Sequence, residues 1–179
     1  MSGLSSKNKD GIEKGVKQSP SLKARALRLL SLREYSRKGL AAKLAESEAR
    51  WGKLGGDQVE QTPESGNTQI EAVLDDFEAR GWLSDARFAE ALVRRRSERY
   101  GVRKIQGELE RAGVDTQTSA SLLRSLKETE YQRAYELWLR KYGEKAQDQK
   151  ERARQYRFLA SKGFGSDVVA KVVGGQRPD

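Results

Sequence analysis

The sequence predicts an all-α protein of three tandem three-helix units stacked into an elongated body. Three observations carry this reading. Apolar residues recur three and four apart, the period of a helix with one buried face, while Val, Ile and Thr are scattered rather than alternating as a strand requires. A faint repeat runs through the chain. A shift of 65 residues lays Leu27 on Leu92, Tyr35 on Tyr100, Leu40 on Ile105 and Leu44 on Leu109, and a shift of 42 lays Tyr100 on Tyr142 and Gly101 on Gly143. Glycine also punctuates three similar junctions, Gly81-Trp82-Leu83-Ser84, Gly113-Val114-Asp115 and Gly163-Phe164-Gly165-Ser166. Units of this size cannot bury their apolar faces alone, so they stack, and a stack suits a long partner better than a small substrate.

The elements follow in order. Residues 1–20 mix Ser, Lys, Gly and Gln without periodicity and are expected to form a flexible tail. Ser21 is placed to cap a first helix whose apolar side is Ala26, Leu27 and Leu30. Ser36 is placed to cap a second helix carrying Leu40 and Leu44. Residues 48–67 hold Gly52, Gly55, Gly56, Pro63 and Gly66 and are expected to form a mobile loop, too rich in breakers for a tight helix–helix turn. Ile70, Val73, Leu74 and Phe77 then make a third helical face. The first unit therefore spans 21–83, the central unit 84–127 and the third 128–174, with a C-terminal tail at 175–179. At each junction glycine accepts the left-handed backbone that ends a helix, and the next apolar residue packs back on the last turn. Ser84, Asp115 and Ser166 are expected to cap the helices that follow.

Composition narrows the function. With 36% hydrophobic and 34% charged residues, the chain has no material for one thick core. It has no cysteine and no histidine, which removes disulfides, thiolate metal sites and the commonest general base and metal ligand. Gly52-Lys53-Leu54-Gly55-Gly56 lacks the Lys-Ser/Thr ending of a nucleotide-binding loop, and Asp75-Asp76 reads as a solvated helix face. Neither an enzymatic constellation nor a cofactor is expected. No apolar run approaches the roughly 20 residues that span a bilayer, and the polar start has no signal-peptide segment, so a cytoplasmic protein is expected. The formal net charge of +9 favours a polyanionic partner, nucleic acid or nucleoprotein, through attraction and counterion release.

That charge concentrates in Arg94, Arg95, Arg96, Arg99, Arg103 and Lys104, around the Tyr100-Gly101 turn. These are the candidate binding residues. At 100° per residue, Arg95 and Arg99 continue the apolar face of Phe88, Ala91 and Leu92, whereas Arg94 points away from it. In the repeat, Arg95 aligns with Leu30 and Leu137, so it needs either an acidic partner, with Glu108 and Glu110 the candidates, or an open route to solvent. Arg94, Arg96, Arg103 and Lys104 are expected to include side chains that reach solvent. Tyr35, Tyr100 and Tyr142 are read as repeated packing residues ahead of base-stacking platforms, and Trp138 as core near Tyr135, Leu139 and Tyr142. Trp51, beside the glycines, either anchors the loop or meets a partner.

Together these residues resemble the RecX family, bacterial proteins that regulate the RecA recombinase. The most telling stretch is Ser84-Asp85-Ala86-Arg87-Phe88-Ala89-Glu90-Ala91-Leu92-Val93, continued by Arg99-Tyr100-Gly101-Val102-Arg103-Lys104-Ile105, Glu108-Leu109 and Ala112-Gly113-Val114. It is similar to the family's central motif, an Asp-x-x-Phe-Ala start followed by Gly, a basic-Ile step and Glu-Leu. The first unit matches in Ala26-Leu27-x-x-Leu30, Tyr35-Ser36 and Lys43-Leu44, and the last in Lys150-Glu151-x-Ala153-Arg154 and Phe158-Leu159-x-x-x-Gly163-Phe164. Gly39 departs from the pattern, since the family usually places an acidic residue there, and it lowers local helix propensity by somewhat under about 1 kcal/mol relative to alanine. The 48–67 segment is also longer than the family pattern. The resemblance implies a curved stack of three three-helix units, acting as a monomer in recombination, DNA repair and the SOS response. It implies binding to RecA or its filament on single-stranded DNA and restraint of filament growth, ATP hydrolysis and strand exchange, without chemistry of its own. A general DNA-binding module that competes for DNA is the alternative.

Overall fold

The computed structural model describes residues 20–53 and 63–178. Among them are nine helices and no strand. They are α1 (Leu22–Leu30), α2 (Arg37–Lys53), α3 (Pro63–Ala79), α4 (Asp85–Arg96), α5 (Val102–Arg111), α6 (Thr116–Glu128), α7 (Glu130–Tyr142), α8 (Gln149–Ser161) and α9 (Ser166–Val173).

Each consecutive triplet encloses its own apolar cluster. Ala26, Leu40, Leu44, Leu74 and Phe77 lie at the centre of the first, and Ala89, Leu92, Ile105, Leu109 and Leu126 at that of the second. Ala134, Trp138, Leu159, Phe164 and Val169 fill the third, where the Trp138 Nε1–H donates to Gln155 Oε1 at 2.8 Å and so leaves both buried groups partnered. Each buried leucine contributes roughly 1.5–3 kcal/mol, so many small increments take the place of one large core. Trp138 is core, as expected, whereas Leu139 is exposed, because only one side of α7 faces α8 and α9.

The helix ends follow their capping chemistry. Ser21, Ser84 and Asp115 accept the amides of Ala24, Arg87 and Thr118, and Ser36 Oγ accepts that of Gly39. Gly81, Gly113 and Gly163 all take positive φ, 69°, 81° and 86°. Trp82 N–H reaches back to Phe77 O and Val114 N–H to Leu109 O, closing α3 and α5. Ser166 is a correction: it is the first residue of α9, and Gly165 holds the cap position without a side-chain bond. In α6 and α9 alike the cap falls two residues after the left-handed glycine, which is Asp115 in one and Gly165 in the other.

The expected mobile loop at 48–67 is also corrected. Residues 48–53 continue α2 and residues 63–67 open α3; residues 54–62 lie outside the described residues, as do 1–19 of the expected N-terminal tail and residue 179 of the C-terminal one. A single glycine such as Gly52 costs a helix only about 1 kcal/mol, and proline suits the first helical position because its missing N–H would be unpaired there anyway.

The triplets join by a repeated device. Asp85 Oδ1, at the start of α4, accepts the amide of Arg37, the first residue of α2, at 2.7 Å. Glu130 Oε1, at the start of α7, accepts the amide of Val102, the first residue of α5, at 2.8 Å. One position earlier, Ser36 Oγ donates to Ala112 O at 2.7 Å, and the Gly101 amide donates to Lys162 O at 3.0 Å. Each following unit thus caps the second helix of the one before it, and the amides left over at a helix start become the mortar between units.

These joints revise the register of the first helices. Matching the opening residues of α1, α4 and α7 sets the buried Ala26, Ala89 and Ala134 in one position. The ungapped shift of 65 had paired Leu27, exposed in α1, with the buried Leu92. It holds for the second helices, where Leu40, Leu44, Ile105 and Leu109 are all buried, but the link between first and second helix differs in length. In the revised register Arg95 falls on Leu32 and Arg140, both exposed.

Candidate functional site

The basic cluster gathers where α4 ends and α5 begins, with Arg94, Arg95 and Arg96 in the last turn of α4, where positive charge suits the helix dipole. Arg94, Arg95, Arg99 and Arg103 are exposed and form no ion pair among the described residues. Arg96 and Lys104 are half-buried and engaged: Arg96 Nε lies 3.0 Å from Glu108 Oε2, and the Arg96 guanidinium and Lys104 ammonium lie 5.3 and 4.6 Å from the Tyr100 ring centroid. The sequence had set Arg95 on the continuation of the apolar face, where it needed either an acidic partner, Glu108 or Glu110, or an open route to solvent. The facing and the acidic partner are corrected, and the open route to solvent is what the structure has. Arg96 takes Glu108, Gln106 takes Glu110, and Arg95 faces outward, because the buried stripe of α4 is centred on Ala89 and Leu92 and has turned away by Arg95.

Arg95 lines a groove of about 430 Å³ between the first and second units. Arg33, Lys38, Lys43 and Arg111 share its walls, and Tyr35, Gly39 and Phe88 supply the less polar lining. Its single carboxylate, Glu34, is held at 3.0 Å by Arg87, and Lys43 is paired with Glu46, so Arg33, Lys38, Arg95 and Arg111 give the groove uncompensated positive charge. Such a surface attracts oxyanions, either phosphates or clustered carboxylates.

At the opposite joint the sequence reading missed Arg133. Its guanidinium donates to Ser97 O and Tyr100 O at 2.7 and 2.9 Å and to Leu126 O at 2.7 Å, closing the ends of α4 and α6 from α7. Burial lowers its pKa from the ordinary arginine value, and the nearby Glu130 carboxylate partly offsets this. No sequence signal marked it, since an arginine in an amphipathic helix does not announce which carbonyls it will meet. Arg37 was missed in the same way. It meets Asp75 at 2.7 Å and Glu71 and Glu78 at 2.5 Å, and the hydrogen bond to Asp75 leads those that hold its pKa above the ordinary value.

The tyrosines do not share one fate. Tyr35 is buried, whereas Tyr100 and Tyr142 are half-buried. Trp51 is half-buried in α2 and lines a second hollow with Arg25, Arg28 and Arg50. Asp76 is engaged by Lys23 and Arg80, whose hydrogen bonds lower its pKa, Arg80 first. Among the described residues no three acidic side chains gather to hold a metal ion, and no helix is long and apolar enough to cross a membrane.

Comparison with known proteins agrees with this geometry. Residues 84–123 match the family model of the second three-helix domain of RecX, and residues 128–173 that of the third. The Regulatory protein RecX of Leptothrix cholodnii is 46% identical over 154 residues, covering 86% of this chain and 87% of that protein. The Regulatory protein RecX of Herminiimonas arsenicoxydans is 43% identical, covering 83% and 88%. The crystal structure of RecX from Lactobacillus salivarius superposes with a TM-score of 0.60 at 18% identity, covering 86% of this chain and 93% of that one, which shows the shared fold. Three tandem three-helix units with a basic central unit, together with relatives this similar over most of their length, place the chain in the RecX family of regulatory proteins.

Proposed function

We propose that this protein binds the RecA recombinase, or its filament on single-stranded DNA, and restrains filament growth, ATP hydrolysis and strand exchange, with no catalysis of its own. It acts as a cytoplasmic monomer in recombination and repair and needs no cofactor. Membership in the RecX family of regulatory proteins supports the recombinase as partner. The observation that carries the choice of surface is the set of four exposed arginines around the end of α4 and the start of α5, Arg94, Arg95, Arg99 and Arg103, which form no ion pair among the described residues and of which Arg95 also lines the basic groove. Exposed cations without internal partners lose little on docking and steer an elongated polyanionic partner into place.

The test is inhibition of single-strand-dependent ATP hydrolysis and strand exchange by RecA. The wild-type chain should suppress both, while the variant Arg94→Gln/Arg95→Gln/Arg99→Gln/Arg103→Gln should need at least roughly tenfold more protein, its exposed substitutions each shifting stability by within about 0.5 kcal/mol. Full inhibition by that folded variant moves the site elsewhere, and no inhibition by saturating wild type ends the reading. Simple competition for DNA is the second reading, favoured by the net charge of +9. Specific capture of this protein by immobilised RecA without DNA would defeat it.

A further inference from the structure

A row of alternating cations and aromatic rings crosses the seam between the second and third units. Lys104 Nζ lies 4.6 Å and Lys162 Nζ 5.4 Å from the centroid of Tyr100. Lys162 Nζ is also 5.6 Å from the Phe158 centroid, and Lys141 Nζ lies 4.1 Å from Phe158 and 5.8 Å from Tyr142. Phe158 and Tyr142 meet edge to face with centroids 5.7 Å apart.

Main chain holds the row in place. The Gly101 amide donates to Lys162 O at 3.0 Å and the Arg103 amide to Gly163 O at 3.2 Å, so lysines from two units face one ring. None of the three lysines has an acidic partner within 4 Å among the described residues. The rings are half-buried, unlike Tyr35, which is sealed in the first core.

We propose that this row binds single-stranded nucleic acid directly, with Lys104, Lys141 and Lys162 on its phosphates and Tyr100, Phe158 and Tyr142 taking unstacked bases. The alternation selects this partner. An acidic protein surface would use the lysines and leave the rings idle, and a duplex keeps its bases stacked out of reach, whereas a single strand offers phosphates and open base faces together. A cation–π contact in reach of solvent is weak, so each lysine exchanges its ring for a phosphate and frees the ring face for a base. The binding belongs to this chain alone and requires no recombinase. Lys104 is shared with the basic cluster; Lys141 and Lys162 are not part of it.

Fluorescence anisotropy of a labelled oligothymidine, titrated with the full chain in the absence of RecA, tests this. The variant Lys141→Ala/Lys162→Ala should bind more weakly, and its slope of log affinity against log salt should fall by about 1.4 in magnitude, two phosphate contacts' worth for a single strand. Tyr100→Leu should lose roughly five- to hundredfold in affinity with the slope retained. Circular dichroism checks folding, and the lysine variant decides the matter even where Tyr100→Leu does not fold, because its side chains carry no ion pair. Unchanged affinity and slope in the lysine variant, equal binding of a duplex, or equally effective competition by polyglutamate would each overturn the proposal. Loss of the regulator reading would leave it standing, since no recombinase enters the assay.

Discussion

At the scale of single residues, the arginines divide by what they touch rather than by charge. Arg94, Arg95, Arg99 and Arg103 end in solvent, while Arg133 ends on three main-chain carbonyls, two in the turn between α4 and α5 and one in α6. Arg133→Ala should therefore cost about 3 kcal/mol in urea unfolding, since it strips charged hydrogen bonds from partly buried carbonyls. Arg133→Lys should restore only part of this, because one ammonium cannot fork to both sides. Asp115 offers a pH test. Hydrogen bonds from the Thr118 hydroxyl and then the Thr118 amide hold its pKa below the ordinary carboxylate value. A depressed folded pKa means stabilisation present above the unfolded pKa of about 3.9 and lost as pH falls through the folded value. Asp115→Asn keeps a good cap but carries no titrating group, so its melting temperature should fall less steeply than wild type below about pH 4. Between about pH 5 and 8 the two curves should run parallel and nearly flat, because the chain has no histidine.

At the scale of elements, the seams depend on close backbone approach. A Cβ on Gly101 would fall 2.3 Å from Gly163 O and 2.4 Å from Phe164 Cα, both main-chain atoms that cannot rotate aside. Gly101→Ala should push the α4–α5 turn off the α8–α9 turn, destabilising the protein by about 2 kcal/mol or more. Amide exchange should show it locally, with Gly101 and Arg103 losing protection first. Gly143, which the repeat aligns with Gly101, has φ of 77° and open space around it, so an alanine there meets backbone strain and no clash. The two are not equivalent in the fold: Gly101 caps the start of α5 and Gly143 ends α7, and the position of Gly101 is taken in the third unit by Asp148, the N-cap of α8.

At the scale of the whole molecule, three separate apolar clusters are held in line by polar joints, so stability is a sum of units and interfaces. Phe77→Ala, at a fully buried site of the first cluster, should cost that unit about 3–5 kcal/mol. Hydrogen exchange should then lose protection across residues 22–53 and 63–79 while 130–173 stay protected; simultaneous loss along the whole chain would show a single cooperative body instead.

The all-α class, the three apolar faces and the glycine-ended helices were legible in the sequence because period and turn chemistry act over a few residues. Leu40, Leu44, Ile105 and Leu109 were placed in the core by spacing alone, and Gly81, Gly113 and Gly163 by the conformation they permit. The candidate site was legible as a cluster and not as a geometry. A register error of two residues against the first unit and three against the third set Arg95 on the apolar stripe, because a helical face can be read locally but the contacts it meets are set by how the neighbouring helix is docked. Which arginine takes Glu108, which carbonyls Arg133 closes and which lysines share the Tyr100 ring were decided only when the units stacked. Those contacts join residues far apart in the chain, and no local periodicity encodes the distance between them.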